Sequence, residues 1–244
     1  MKECILVSAF GTSNIEGYEK QFKPFLEKIK EEFSIDSFVG FTSNRIIDKL
    51  KDDRVKSLED KIEEIKALEY EKLILVKLVL SDGKENRKID ELINKNKINF
   101  KEIIVTNPIL SYKKDFIENC LTSDKCTILI SHGREDGLID KISDDFKFEI
   151  EKNYDNLKYL SLNRKEESKN VIENLLSIGI NNVKFKPLLL TKGYHFSKDI
   201  YSEKDESFKK IFVNNNITVE EVNFGLLEDG KFIEFIINKI SKLI

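Results

Sequence analysis

The stretch Cys126-Thr127-Ile128-Leu129-Ile130-Ser131-His132-Gly133-Arg134 decides how this chain is read. It opens as an aliphatic, β-branched run, the composition of a strand buried on both faces. Ser131-His132-Gly133 then turns the chain, and a helical pattern follows from about residue 138 to 154. Strand, turn and helix in that order build parallel α/β sheets. Such sheets bind ligands outside the carboxyl ends of their strands, so His132 is expected at a ligand crevice.

The chain has only two histidines. The second ends another apolar run, Lys186-Pro187-Leu188-Leu189-Leu190-Thr191-Lys192-Gly193-Tyr194-His195. A lone histidine after a strand is ordinarily a tolerated loop residue. Two of two at matching positions point to use. Neutral imidazole is the commonest protein metal ligand and a general base near neutral pH. Two histidines without a third protein ligand make an open site, suited to passing a metal on more than to holding one for structure.

Working outward, strand and helix patterns alternate throughout. Strands are expected at residues 4–9, 37–41, 72–80 and 102–107. The series then starts again, at 126–131, 157–162, 183–190 and 218–223. Helical spacing fills the intervals, with Thr12 or Ser13 as a candidate cap after the first strand. Lys186 and Pro187 fit a strand end poorly, since proline is confined to edges and bulges.

The second series repeats the first. Cys4 to Gly11 matches Cys126 to Gly133, Leu78 to Glu85 matches Leu188 to His195, and Asn44-Arg45 matches Asn163-Arg164. The repeat is domain-sized, which argues two lobes and not a solenoid. The expected lobes are residues 1–123 and 124–244, with a cleft between their strand ends. By this alignment Phe10 is the counterpart of His132, and Glu85 that of His195.

Composition sets limits. At 244 residues, 35% charged and 40% hydrophobic, the balance is that of a soluble globular protein. The net charge of −3 argues against general nucleic-acid binding. No apolar run approaches the about 18 residues of a membrane span. Met1-Lys2-Glu3 leads directly into the first strand without a signal peptide, so a cytoplasmic location is expected. Three cysteines without zinc spacing read as buried thiols. No phosphate-binding glycine motif occurs, so no nucleotide cofactor is expected. Four of the five arginines, Arg45, Arg87, Arg134 and Arg164, follow strand ends. Arginine there offers a planar fork to carboxylate or phosphate; the plainer reading is a solvated loop residue.

Four pieces together resemble the anaerobic-pathway sirohydrochlorin cobaltochelatases, class II chelatases related to ferrochelatases. They are Ser8-Ala9-Phe10-Gly11-Thr12-Ser13, the segment from Phe41 to Leu50, Ser131-His132-Gly133, and Pro187 to His195. The resemblance implies two similar Rossmann-like α/β lobes, each with a four-stranded parallel sheet, and a tetrapyrrole in the cleft. It implies a lyase of anaerobic cobalamin and, more broadly, porphyrin biosynthesis. His132 and His195 would bind the incoming divalent metal and take pyrrole protons. The metal would be Co2+, as substrate, with Fe2+ as the alternative. Phe10, Gly11, Thr12, Ser13, Arg45, Arg87, Arg134, Asn163 and Arg164 would bind the carboxylate-rich ring.

Two departures stand out. The family's glutamate after the second strand of the second lobe aligns with Asn163, and the histidine that some relatives carry near Leu78-Val79-Leu80 is absent. An amide coordinates through oxygen but is no base. Glu85 is the candidate to supply the missing carboxylate. The other readings are a ferrochelatase acting on a related ring, a non-catalytic tetrapyrrole or metal carrier, and an unrelated two-lobed binder. Oligomeric state is not legible.

Overall fold

The apolar run of β1 (Glu3–Ala9) is buried from Cys4 to Ala9, because strands pair with it on both sides and helices cover both faces. The computed structural model describes residues 1–133 and 141–244, and for residues 141 and 142 only the backbone. In these residues the chain forms two units, Met1–Phe116 with Gly230–Ile244, and Ile117–Asp229.

In the first unit β1 pairs in parallel with β2 (Asp36–Phe41) and β3 (Lys72–Lys77), and β4 (Glu102–Val105) adds beyond β3, giving the order β2-β1-β3-β4. The helices are α1 (Ile15–Gly17), α2 (Lys23–Phe33), α3 (Asn44–Leu50), α4 (Leu58–Ala67), α5 (Lys84–Asn96) and α6 (Lys113–Phe116). Successive strand side chains point to opposite faces. Cys4, Leu6, Leu73 and Leu75 therefore share one face, which packs on Leu58, Ile62 and Ile65 of α4 and Ile89 and Ile93 of α5. Asn14 caps α1, its Oδ1 accepting the Gly17 N–H at 2.6 Å. Thr12 and Ser13 do not cap it: Thr12 is buried and its hydroxyl turns to the Asn14 carbonyl.

The second unit repeats the plan. β5 (Thr127–Ser131), β6 (Leu157–Ser161), β7 (Asn182–Pro187) and β8 (Thr218–Glu221) form a parallel sheet in the order β6-β5-β7-β8. Its helices are α7 (Lys141–Asn153), α8 (Ser168–Ser177) and α9 (Phe208–Asn214). One face packs Ile128, Ile130, Val183 and Phe185 on Val171 and Leu175 of α8 and Phe208 and Phe212 of α9. On the other, Phe146 of α7 meets Tyr159 edge-on, with ring centroids 5.6 Å apart.

The duplication extends to single hydrogen bonds. Leu78 N–H donates to the Ser8 carbonyl at 2.8 Å, and its counterpart Leu188 N–H to Ile130 at 2.7 Å. The Val79 and Leu80 carbonyls accept from Ile109 and Leu110, as the Leu189 and Leu190 carbonyls accept from Leu226 and Leu227. These bonds explain why the third strand of each unit ends before the expected residues 80 and 190. The apolar run continues, but the neighbouring strand has ended and the carbonyls turn to a passing loop. Pro187 closes β7 beyond the reach of β8, whose last pairing is Phe185 with Glu221.

The closing helix α10 (Gly230–Ile240) follows the second series in sequence but packs in the first unit. Phe232 and Phe235 lie 6.0 and 5.5 Å from the ring of Phe116. The helix expected at 111–121 is divided: α6 lies in the first unit and the π-helical turn Ile117–Leu121 in the second. Among the described residues no helix is long and apolar enough to cross a membrane.

Candidate active site

The second sheet changes direction beside β5. The chain passes from β5 to β6 on one flank, then crosses to β7 on the other. The carboxyl ends of β5 and β7 therefore form the switch point where open α/β sheets hold ligands. His132 directly follows β5, and His195 starts the π-helical turn Phe196–Ile200 in the loop after β7. Their Nε2 atoms lie 3.1 Å apart, with ring centroids at 4.5 Å and planes nearly perpendicular at 86°.

The outer nitrogens decide what those inner atoms can do. His132 Nδ1 lies 3.2 Å from the Gly133 carbonyl and His195 Nδ1 lies 2.7 Å from Asp199 Oδ2. A carboxylate only accepts, so the His195 Nδ1 beside Asp199 carries its proton and the His195 Nε2 keeps a lone pair facing His132. The two Nε2 atoms lie within hydrogen-bond distance when His132 carries its proton on Nε2, and with both Nε2 unprotonated they offer two lone pairs to one cation. For metal–nitrogen bonds of about 2.1 Å, a 3.1 Å separation subtends about 95° at the metal. That lies between octahedral and tetrahedral ligand angles. The pair thus has the bite of two ligands to one divalent ion. Half the His195 side chain is open to solvent (44% exposed), so a ligand can reach it.

Gly133 follows His132 directly at the end of β5. Its φ is +75°, a conformation that glycine adopts freely. A Cβ there would stand 1.8 Å from Asn163 Oδ1 and 3.1 Å from Ser161 Cβ. The Asn163 amide thus lies against the backbone next to His132. The buried Ser161 hydroxyl beside it makes no hydrogen bond among the described residues.

Arg164 is engaged within its unit, with Asp144 at 2.7 Å and Glu167 at 3.4 Å. Arg134 lies outside the described residues. The remaining expected residues belong to the first unit and take the equivalent strand ends there. Phe10, 49% exposed, and Gly11 to Ser13 follow β1; Arg45 opens α3 after β2. Glu85 and Arg87 lie in the first turn of α5, after β3. Glu85 Oε2 is buried without a hydrogen-bond partner among the described residues. Arg45 and Arg87 are exposed and form no ion pair among the described residues.

Sequence reasoning missed Asp199. The signal was present as His195-Phe-Ser-Lys-Asp199, since residues four apart in a helix are neighbours. Lys165 Nζ approaches the other carboxylate oxygen at 3.7 Å. Tyr194, exposed, also meets His195 edge-on at 5.6 Å. Among the described residues no three His, Cys, Asp or Glu side chains converge as a metal site.

Comparison with known proteins gives the family and the fold. The family described as "Cobalt chelatase (CbiK)" matches residues 3–244. No curated protein matches the chain. Among solved structures, SirB from Bacillus subtilis with Fe3+ superposes with a TM-score of 0.62 at 13% identity, covering 99% of this chain and 95% of that one. The sirohydrochlorin chelatase SirB from Bacillus subtilis subspecies spizizenii in complex with cobalt gives a TM-score of 0.59 at 14% identity, with the same coverage. These two show the shared fold of paired parallel sheets. The match along nearly the whole sequence shows more: this chain belongs to the cobalt chelatase (CbiK) family and is a metal chelatase.

Proposed function

We propose that this chain inserts Co2+ into sirohydrochlorin, or a closely related reduced tetrapyrrole, as a step of anaerobic cobalamin biosynthesis. The observation that carries the reading is the 3.1 Å approach of His132 Nε2 to His195 Nε2 at a sheet switch point. The family supplies the reaction class.

The stoichiometry sets what the residues must do. The free ring carries two pyrrole N–H groups. When the divalent metal enters, two metal–nitrogen bonds replace two N–H bonds, and two protons leave. Lone pairs on Nε2 serve both tasks. They hold the metal by displacing part of its water shell, and once they pass it on they accept pyrrole protons. Water then takes those protons away. A two-histidine site suits this passage, because a full ligand set would keep the ion. Asn163, a neutral amide, adds no charge that would trap the metal. Imidazole accepts Co2+ and Fe2+ alike, so the choice of Co2+ rests on the family description.

In this reading Phe10 offers an aromatic face to the flat ring, and Gly11, Thr12 and Ser13 line the same strand end. Arg45 and Arg87, which pair with no carboxylate among the described residues, take substrate carboxylates. Glu85 is the carboxylate in place of the family glutamate, and Glu85→Gln is expected to lower insertion sharply. The test of the whole reading is the visible absorbance of sirohydrochlorin during Co2+ addition. Insertion well above the protein-free rate supports it; a rate equal to that control rejects it.

A further inference from the structure

We propose that Asp199 is a positioning residue for metal insertion, fixing His195 as the Nδ1–H tautomer so that its Nε2 lone pair faces His132. The inference builds on the chelatase reading and adds a residue that the reading does not assign.

The geometry is local and complete. Asp199 stands one turn after His195 on the π-helical turn Phe196–Ile200. One of its oxygens accepts the Nδ1 proton of His195 at 2.7 Å. The other faces Lys165 Nζ at 3.7 Å, and Lys165 is itself held by a hydrogen bond to the Glu206 carbonyl at 3.0 Å. The carboxylate is thus oriented from both ends, with only 23% of its side chain exposed. A hydrogen bond on one ring nitrogen sets which nitrogen is free to bind metal. Without Asp199 the neutral ring is free to carry its proton on Nε2. That proton would point at His132 and remove one of the two lone pairs.

Lys165 makes the prediction specific. In Asp199→Asn, the amide turns its oxygen toward the lysine cation and its NH2 toward His195. Nδ1 must then accept, and the proton moves to Nε2. The isosteric Asn is therefore expected to be at least as harmful as Ala. A merely structural Asp–His contact would give the opposite order, with Asn the milder change.

The chain has only two histidines, so the 15N-histidine-labelled protein shows only two rings by NMR. With the rings neutral, His195 of the wild type is expected to show a protonated Nδ1 and an unprotonated Nε2. Asp199→Asn should reverse that pattern. Cobalt insertion should fall about 10- to 100-fold in Asp199→Ala, the range for outer-shell partners of metal-binding histidines, and at least as far in Asp199→Asn. An unchanged tautomer in Asp199→Asn, or an Asn variant more active than Ala, would overturn the proposal. Failure of the wild type to insert cobalt would overturn the chelatase reading instead, while the spectra still decide the role of Asp199.

Discussion

Asn163 occupies the space that a side chain at residue 133 would need. Its Oδ1 lies 1.8 Å from the position of a Cβ built on Gly133. His132 is the adjacent residue, so the amide lies against the backbone beside one member of the histidine pair. Gly133→Ala must move the amide and also strain a backbone at φ +75°. The expected loss of stability is about 1–3 kcal/mol from strain alone, read by urea denaturation. Gly133→Ala with Asn163→Ala should recover the steric part and leave the backbone part. Full loss in the double variant would mean that the clash is not the cause.

Substrate contacts should separate from stability. Phe10 is half exposed, so Phe10→Ala should change stability by no more than about 0.5 kcal/mol. Its effect should instead appear as weaker binding in a sirohydrochlorin absorbance titration. Arg45→Ala and Arg87→Ala should behave alike, since neither breaks an ion pair among the described residues. Arg164→Ala removes contacts to Asp144 and Glu167 and should act on stability more than on binding.

Phe185 anchors the second sheet. It is fully buried and meets Phe212 edge-on at 5.0 Å. Phe185→Ala should cost about 3–5 kcal/mol, measured by chemical denaturation of the whole chain.

Cys4 should make stability fall in alkali. Burial is the main cause that pushes its thiol from 9.0 up to about 12. The folded state favours the neutral form. Its contribution is whole below 9.0 and is lost as pH rises toward about 12, because the unfolded chain gives up its proton first. Denaturation midpoints measured across that window should fall, and less steeply for Cys4→Ala. Equal slopes would remove Cys4 as the cause.

Much of the architecture was legible in the apolar runs. The in-register match of Cys4 to Gly11 with Cys126 to Gly133 forecast two equivalent sheets, which the structure has. The runs overstated the third strands, because an apolar residue reports burial and not ladder pairing; residues 78–80 and 188–190 are such cases. Helical spacing showed that α10 has an apolar face but not which sheet it covers. Thr12, Ser13 and Asn14 all have capping side chains, and only the geometry selects Asn14 among them.

The site divides in the same way. His132 and His195 stood out by count and position, and the fold brings them together. Arg164 stood out equally, yet its guanidinium is taken by Asp144, a partner distant in sequence. Asp199 gave only a spacing of four residues, which becomes a contact only once the turn after His195 is known.

The most direct test is the initial rate of Co2+ insertion into sirohydrochlorin by the wild type, His132→Ala, His195→Ala and the double variant, with circular dichroism to confirm folding. Two ligands of one ion act as a unit, so each single variant should lose nearly as much activity as the double. Folded single variants that keep the wild-type rate would contradict the account.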